Sequence, residues 1–95
     1  MIIPQLLVHD RQDNVGVVVV ENLTAGTEIL CVVTQDNSDF TMIVNDDIPI
    51  GHKVALKPLA KGDTVTKYGE DIGRMIGTAG IGDHVHVQNC KTKRW

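Results

Sequence analysis

Two histidines placed two residues apart are the feature of this 95-residue chain that most directly suggests chemistry. In the segment His84-Val85-His86-Val87, imidazole and aliphatic side chains alternate. An extended strand would put both imidazoles on one face and both valines on the other. Neutral imidazoles can ligate a divalent metal, and protonated ones can bind an anion. Because metal ligation requires a third protein ligand and none is adjacent, a solvated polar face is the competing interpretation.

Other polar residues stand where predicted strands begin or end. His52 could be the third ligand if the fold brings it to the histidine pair, although His52-Lys53 is also an ordinary surface dipeptide. Lys67-Tyr68 could orient a carboxylate through an ammonium and a phenol, or serve packing and solubility. Asp46-Asp47 offers too few oxygens for calcium, so we interpret it as a solvated loop. No local Ser-His-Asp or Cys-His signature predicts nucleophilic catalysis.

Short β-strands must position these side chains. The 13 valines and 9 isoleucines favour pleated, half-buried surfaces, which predicts an all-β fold. Predicted strands cover residues 2–8, 15–20, 27–33, 40–44, 53–56, 64–67 and 84–87, with an irregular or bulged strand within the glycine-rich stretch 68–82. Pro4 makes the first of these an edge strand at best, since proline cannot donate to a ladder. The valine run at 15–20 predicts a central strand buried on both faces.

A weak repeat marks three of the turns. The pattern apolar-x-x-Gly-x-x-apolar occurs at Leu23–Ile29, at Leu59–Val65 and, less well, at Ala79–Val85. Each instance is a glycine turn that leads into a strand. Ordinary hairpin chemistry and a true structural repeat both account for the pattern.

Size and charge exclude several classes of function. A chain of this length forms one domain that is too small for a large catalytic cleft of its own, which argues against a lone enzyme. The net charge of −3 and the pI near 5.7 leave no basic patch apart from the last five residues, which argues against nucleic acid and acidic membranes as partners. No apolar run approaches the roughly 20 residues of a membrane-spanning helix. The N-terminus lacks a signal-peptide pattern, so we expect a soluble, cytoplasmic protein.

The cysteines and the C-terminal tail carry weaker signals. Cys31 and Cys90 lie outside any C-x-x-C spacing, which predicts reduced and buried thiols. The basic tail Lys91–Trp95 could dock on a partner, since tryptophan and arginine are enriched at interfaces, or be a disordered end.

Several ordered motifs, spread over about residues 10–92, together carry a family resemblance. They are Asp13-Asn14-Val15, Ala25-Gly26-Thr27, Gly51–Leu56, Leu59–Asp63, Lys67-Tyr68-Gly69, Ile72-Gly73 and Gly82–His86 with Asn89. In this order and spacing they resemble the N-terminal SAF domain of the altronate and galactarate dehydratase family. The resemblance implies a β-clip fold, in which a long twisted sheet folds over on itself, as a single domain over residues 1–95.

The resemblance also implies a function. Members of the family remove water from sugar acids such as altronate or galactarate with a divalent metal, often iron. By analogy, this chain would be the small subunit of a metal-dependent hydro-lyase that caps the active site of a separate large catalytic subunit, with Fe²⁺ or Mn²⁺ in the completed complex. Matching positions would make His52, His84 and His86 catalytic, with metal on His84 and His86, and would make Lys53, Lys67, Tyr68 and Asn89 substrate-binding.

Two alternatives remain at this point. The small subunit of a sulfolactate sulfo-lyase would differ only in the leaving group, and a stand-alone SAF module would bind without catalysis. A homo-oligomer is compatible with each. Eliminating a β-hydroxyl needs a base for the α-proton, stabilisation of an enediolate, and an acid or metal for the departing hydroxide. A chain with so few candidate groups cannot supply all three, so we expect activity only when it is docked on a partner.

Overall fold

Nine strands make up the ordered elements of the computed structural model, which describes residues 3–86 and 88–92. The strands are β1 Leu6–Val8, β2 Val15–Val18, β3 Glu28–Val33, β4 Ser38–Ile43, β5 Lys53–Ala55, β6 Thr64–Lys67, β7 Glu70–Met75, β8 His84–Val85 and β9 Cys90–Thr92. Within these described ranges there is no helix, which confirms the all-β prediction. It follows that no helix capable of crossing a bilayer is present among those residues.

Two sheets divide the strands. A six-stranded sheet has the order β4-β3-β1-β2-β5-β8, and a three-stranded sheet has the order β6-β7-β9. The β1 and β3 strands pair in parallel, and every other neighbouring pair is antiparallel. This mixed arrangement fits the expected β-clip. The bulge predicted for the glycine-rich stretch lies in β7, where Val65 pairs with Gly73 but Thr66 pairs with Asp71, so that Ile72 is the extra residue.

The first two strands differ from their predictions. The β1 strand lies between β3 and β2, so the prediction of an edge strand was wrong. Pro4 precedes the strand, and its missing N–H therefore removes no bond from the ladder. The β2 strand is central, as predicted, but it is not buried on both faces. Val17 is only half-buried, and Val19, just after the strand, is 37% exposed.

Buried aliphatic side chains form two cores. One lies against the six-stranded sheet and includes Leu6, Val18 and Ile29. The other joins the two sheets, because it combines Val15 and Val85 of the large sheet with residues of the small one. Each fully buried side chain of this kind stabilises the fold by about 1.5–3 kcal/mol.

The two cysteines belong to these cores. Cys31 and Cys90 are free and buried, as predicted. Burial raises the pKa of the Cys31 thiol to about 12 and also raises the pKa of the Cys90 thiol.

Glycine turns of one type recur four times. Gly26, Gly51, Gly62 and Gly82 have φ angles of 86°, 86°, 92° and 88°. Each is the third residue of a turn in which the fourth residue donates an N–H to the carbonyl of the first, which is the type II geometry. The predicted pattern is therefore a structural repeat, with a fourth copy at Ile48–Val54 that sequence analysis missed. Isolated bridges Leu23↔Ile48 and Leu59↔Ala79 join the copies in pairs.

The remaining residues are not described. Met1, Ile2, Val87 and residues 93–95 lie outside the described ranges, and so does most of the predicted docking tail.

Candidate functional site

Three histidines from two distant segments meet at one end of the large sheet. Nδ1 of His52 lies 2.8 Å from Nε2 of His84. The His52 ring also stacks on His86, with centroids 3.7 Å apart and planes inclined by 16°. One ring nitrogen from each histidine lies within 4.8 Å of the other two. The structure thus brings together the three residues that the sequence nominated, and we call them the histidine cluster.

Glycine turns and one strand pairing produce this cluster. His52 is the last residue of the turn that begins at Pro49, and its carbonyl accepts the N–H of Val18 at 2.9 Å. The turn around Gly82 delivers the chain into β8 in the same way. Because β5 pairs with β8, Val54 lies opposite His84, and the histidine just before β5 is brought alongside.

Asn89 holds the backbone of the other two histidines. Its Nδ2 donates to the carbonyl of His84 at 2.8 Å, and its Oδ1 accepts the N–H of His86 at 3.0 Å. The chain bends at His86, so the predicted strand ends at Val85. Both ends of the Asn89 amide are occupied in shaping this bend. Its predicted contact with substrate stays a prediction.

Two further residues at the cluster were not among the candidate site residues. Asp46 accepts the backbone N–H of His84 at 2.9 Å, and Gln88 Nε2 lies 3.3 Å from Nδ1 of His84. Asp47 accepts the N–H of Ala25 at 2.8 Å, so the aspartate pair does more than solvate a loop. The two-residue spacing of the histidines already places Gln88 on the same face as His84 and His86. Nothing in the sequence links the 46–47 loop to His84.

The surroundings of His84 and His86 favour the neutral form of these two imidazoles. Burial is the main cause that lowers the pKa of His84; repulsion from His52 adds to it, and Asp46 opposes it. Burial likewise lowers the pKa of His86, with additional repulsion from His52, Lys53 and His84. Lys53, predicted to bind substrate, therefore acts electrostatically on the cluster. Neutral imidazole is the form that binds a metal or accepts a proton.

The histidine cluster has the donor set of a metal site. Nitrogens bound to one ion at about 2.1 Å lie at most about 4.2 Å apart. The three ring nitrogens lie within 4.8 Å of one another, and a small rotation of the side chains would bring them into that range. Imidazole suits iron, zinc, copper and nickel, whereas manganese prefers oxygen ligands. Of the two ions predicted, the cluster therefore fits Fe²⁺ better than Mn²⁺.

Lys67 and Tyr68 lie in a different place. The Lys67 ammonium stands 4.8 Å from the centroid of the Tyr68 ring, and that ring meets His9 edge-on with centroids 4.1 Å apart. These residues line a pocket of about 180 Å³ together with Thr34 and aliphatic side chains of β1 and β2. No member of the histidine cluster lines this pocket. The role of Lys67 and Tyr68 as substrate ligands stays a prediction.

A buried carboxylate, which sequence analysis did not single out as a functional residue, fixes the position of Tyr68. Asp13 is 2% exposed, and it accepts the N–H groups of Tyr68 at 2.9 Å, Gly69 at 2.8 Å and Asp10 at 3.1 Å. Tyr68 and Gly69 have φ angles of 58° and 70°, as a two-residue type I′ turn requires. A bulky residue is strained at such an angle. Hydrogen bonds to a charged group, at about 1.5–3 kcal/mol each, offset that strain.

Comparison with known proteins identifies the family. The sequence model of the altronate/galactarate dehydratase SAF domain matches residues 4–93. The chain belongs to this family. The SAF resemblance drawn from the ordered motifs is thereby confirmed.

Relatives of this SAF domain fall into two kinds. The (2R)-sulfolactate sulfo-lyase subunit alpha of Paracoccus pantotrophus is 69% identical over 67 residues, which cover 70% of this chain and 100% of the relative. The subunit of the same name from Chromohalobacter salexigens is 49% identical over 89 residues, covering 94% of this chain and 95% of the relative. Altronate dehydratase of Escherichia coli is 41% identical over 80 residues, covering 84% of this chain but 15% of the relative.

Proposed function

We propose that this chain is the alpha subunit of a sulfolactate sulfo-lyase and acts together with a larger catalytic subunit. The observation that carries the proposal is the match over the whole length of a subunit alpha at 69% identity. Sequence analysis placed the dehydratase first and the sulfo-lyase second. The comparisons favour the second, because the Paracoccus pantotrophus subunit alpha is 69% identical over 67 residues, whereas the Escherichia coli altronate dehydratase is 41% identical over 80 residues.

The histidine cluster suits the required elimination. Sulfolactate is a 2-hydroxy acid with a sulfonate on the neighbouring carbon. Removal of the α-proton by a base lets the carbon–sulfur bond break with its electron pair, which releases sulfite and an enol that becomes a 2-oxo acid. A neutral imidazole such as His84 or His86 can accept or return a proton in this sequence. A bound divalent cation would supply charge stabilisation for the enediolate.

The cluster alone is not a complete active site. It offers three imidazoles, and Asn89 and Asp46 are occupied with the backbone around them. Groups that bind the carboxylate and the sulfonate of the substrate must come from elsewhere. We therefore propose that the cluster faces the large subunit and that the two chains share one site.

The test is a side-by-side assay. The chain is purified alone and co-purified with the large subunit, and each preparation is given sulfolactate or altronate anaerobically with Fe²⁺, with Mn²⁺ or with no metal. We expect sulfite release from sulfolactate only when both subunits are present. Turnover by the chain alone would refute the subunit assignment.

A dehydratase small subunit is the second candidate. The family model and the 41% identity to the Escherichia coli altronate dehydratase favour it. Faster turnover of altronate than of sulfolactate by the two-subunit preparation would establish it instead. A complex whose activity is unaffected by His84→Ala and His86→Ala would point to a SAF module without a catalytic part.

A further inference from the structure

One face of the six-stranded sheet carries aliphatic side chains that this chain does not cover. The face is composed of Leu7, Val17, Val19, Leu30 and Val32, and we call it the open face. In the sheet register Val32 lies opposite Leu7, and Leu7 lies opposite Val17, so these three form one row across β3, β1 and β2. All are half-buried except Val19, which is 37% exposed.

Such a face is unusual for a sheet surface in water. A largely antiparallel sheet with one solvated side normally carries polar residues there. Here the opposite side is packed against the first core through Leu6, Val18 and Cys31. The row Val32-Leu7-Val17 on the open face is also aliphatic, and the register places charged residues, Asp39 of β4 and Lys53 of β5, at its two ends. Contiguous exposed apolar surface of this kind marks an interaction site.

The small sheet stops short of the open face. It packs over Val15, Ala55 and Val85, which lie on the same side of the large sheet. The small sheet covers this side of the large sheet only as far as Lys67 and Tyr68, at the β6–β7 turn. The pocket whose lining includes Lys67, Tyr68, Val17 and Val19 lies between the β6–β7 turn and the open face.

The valine run gives a second, independent argument. A continuous aliphatic strand such as 15–20 is typical of a strand covered on both sides. The chain buries Val15 and Val18 completely but leaves Val17 and Val19 partly open. The sequence pattern is that of a strand covered on both sides, but this chain covers one side of β2 only in part.

Charge at the edge of the open face indicates what covers it. Within residues 3–86 and 88–92 the one ion pair is Arg11–Asp36, so the ammonium of Lys67 has no carboxylate partner there. Its observed contact is the face of the Tyr68 ring, which is itself 53% exposed. A segment that covers the face and carries a carboxylate would therefore find an unpaired cation and an aromatic anchor.

We propose that the open face is the docking surface for the large subunit, which covers it with an apolar segment bearing a carboxylate opposite Lys67. This inference rests on the proposed function, since it requires that subunit. In the Escherichia coli altronate dehydratase the matching domain makes up 15% of the chain, so the rest of that enzyme is available to such a face within one polypeptide. The strained Tyr68, which Asp13 holds by its backbone N–H, is then a preformed part of the interface.

The test compares two matched substitutions. Val19→Glu adds a carboxylate to the open face, and Ala60→Glu adds the same charge at an exposed alanine on the glycine turn around Gly62, outside both that face and the histidine cluster. Affinity for the purified large subunit is measured by calorimetry, and folding of each variant is checked by circular dichroism and thermal unfolding. Because the docked segment would bury the introduced carboxylate without a partner, we expect Val19→Glu to weaken binding at least about tenfold and Ala60→Glu to leave it unchanged.

Lys67→Glu probes the charge. It removes the cation and places a carboxylate opposite the one that we expect on the partner, so binding should weaken and its dependence on salt should change. Lys61→Glu, on another turn, is the matched control.

Each outcome decides the matter. If folded Val19→Glu binds as tightly as the wild type while the complex releases sulfite, the docking surface is wrong and the proposed function stands. If the wild-type chain does not bind the large subunit, the proposed function and the docking surface fail together. If the chain alone is a dimer that Val19→Glu dissociates, the occupant is a second copy and the proposed partner is wrong.

Discussion

At the scale of single residues, the most specific prediction concerns the histidine cluster. His52, His84 and His86 offer three nitrogens within 4.8 Å, and we expect the isolated chain to bind one divalent ion through them. His84→Ala removes one of three ligands, so metal affinity should fall by more than the roughly 10–100-fold that follows from losing an outer-shell partner. Anaerobic calorimetry with Fe²⁺, or absorption spectroscopy with Co²⁺, measures the change.

A control for this prediction is His9→Ala. His9 lies against Tyr68 and Thr34 in the other pocket, so its loss should leave metal affinity unchanged. Equal affinity of His84→Ala and the wild type would show that the three imidazoles are not a metal site.

The histidines also predict how stability depends on pH. The pKa values of His84 and His86 in the folded chain lie below the ordinary value of 6.5, chiefly because of burial. At a pH between the lowered pKa of the folded chain and the ordinary pKa of the unfolded chain, the unfolded chain binds more protons than the folded one. The free energy of unfolding should therefore fall as the pH drops below 6.5. Above that pH these two groups contribute no slope.

Urea unfolding of the metal-free chain between neutral and mildly acidic pH checks this expectation. A variant with His84→Gln and His86→Gln should show a shallower fall than the wild type. Stability that stays constant or rises on acidification in the wild type would contradict the lowered pKa values.

At the scale of elements, the four type II turns differ in how closely they are packed. Gly51 and Gly82 have nearly the same φ, 86° and 88°. A Cβ at position 51 would have no atom within 4 Å, whereas a Cβ at position 82 would overlap the carbonyl oxygen of Ile43. Gly51→Ala should therefore cost only the backbone strain, about 1–2 kcal/mol, and Gly82→Ala clearly more.

Chemical denaturation of the two alanine variants measures the difference. The turn at Gly82 leads directly into His84, so Gly82→Ala should also lower metal affinity, and Gly51→Ala should do so less. Equal losses of stability would mean that conformational strain alone sets the cost at both turns.

At the scale of the whole molecule, the open face ties the stability of the chain to its partner. A protein that binds only the folded chain raises its free energy of unfolding by about 2.7 kcal/mol when present at 100 times the dissociation constant. We therefore expect the unfolding temperature of this chain to rise in the presence of the large subunit and to depend on its concentration. Differential scanning calorimetry of the mixture and of its components measures the shift, and an equal amount of albumin is the control.

Much of the fold follows from local patterns. The β6 strand occupies the predicted residues 64–67, and β3 and β5 begin or end within one residue of their predictions, because β-branched runs bounded by glycine turns need no distant partner to be recognised. The spacing of the turn glycines also indicated the repeat, although the copy at Ile48–Val54 was missed. The prediction of an edge strand from Pro4 was wrong because a proline removes a ladder hydrogen bond only when it lies within the strand, and β1 begins at Leu6.

The amino-acid sequence by itself determined the all-β class, the turn glycines and the identity of the three histidines as candidates. The tertiary structure alone decided that His52 stands beside His84 and His86, that Lys67 and Tyr68 belong to another pocket, and that Asp13 and Asp46 hold backbone groups at both places. The physical reason is that strand propensities and turns act between neighbours in the chain, whereas the pairing of β5 with β8 joins segments about 30 residues apart and depends on burial of the whole core.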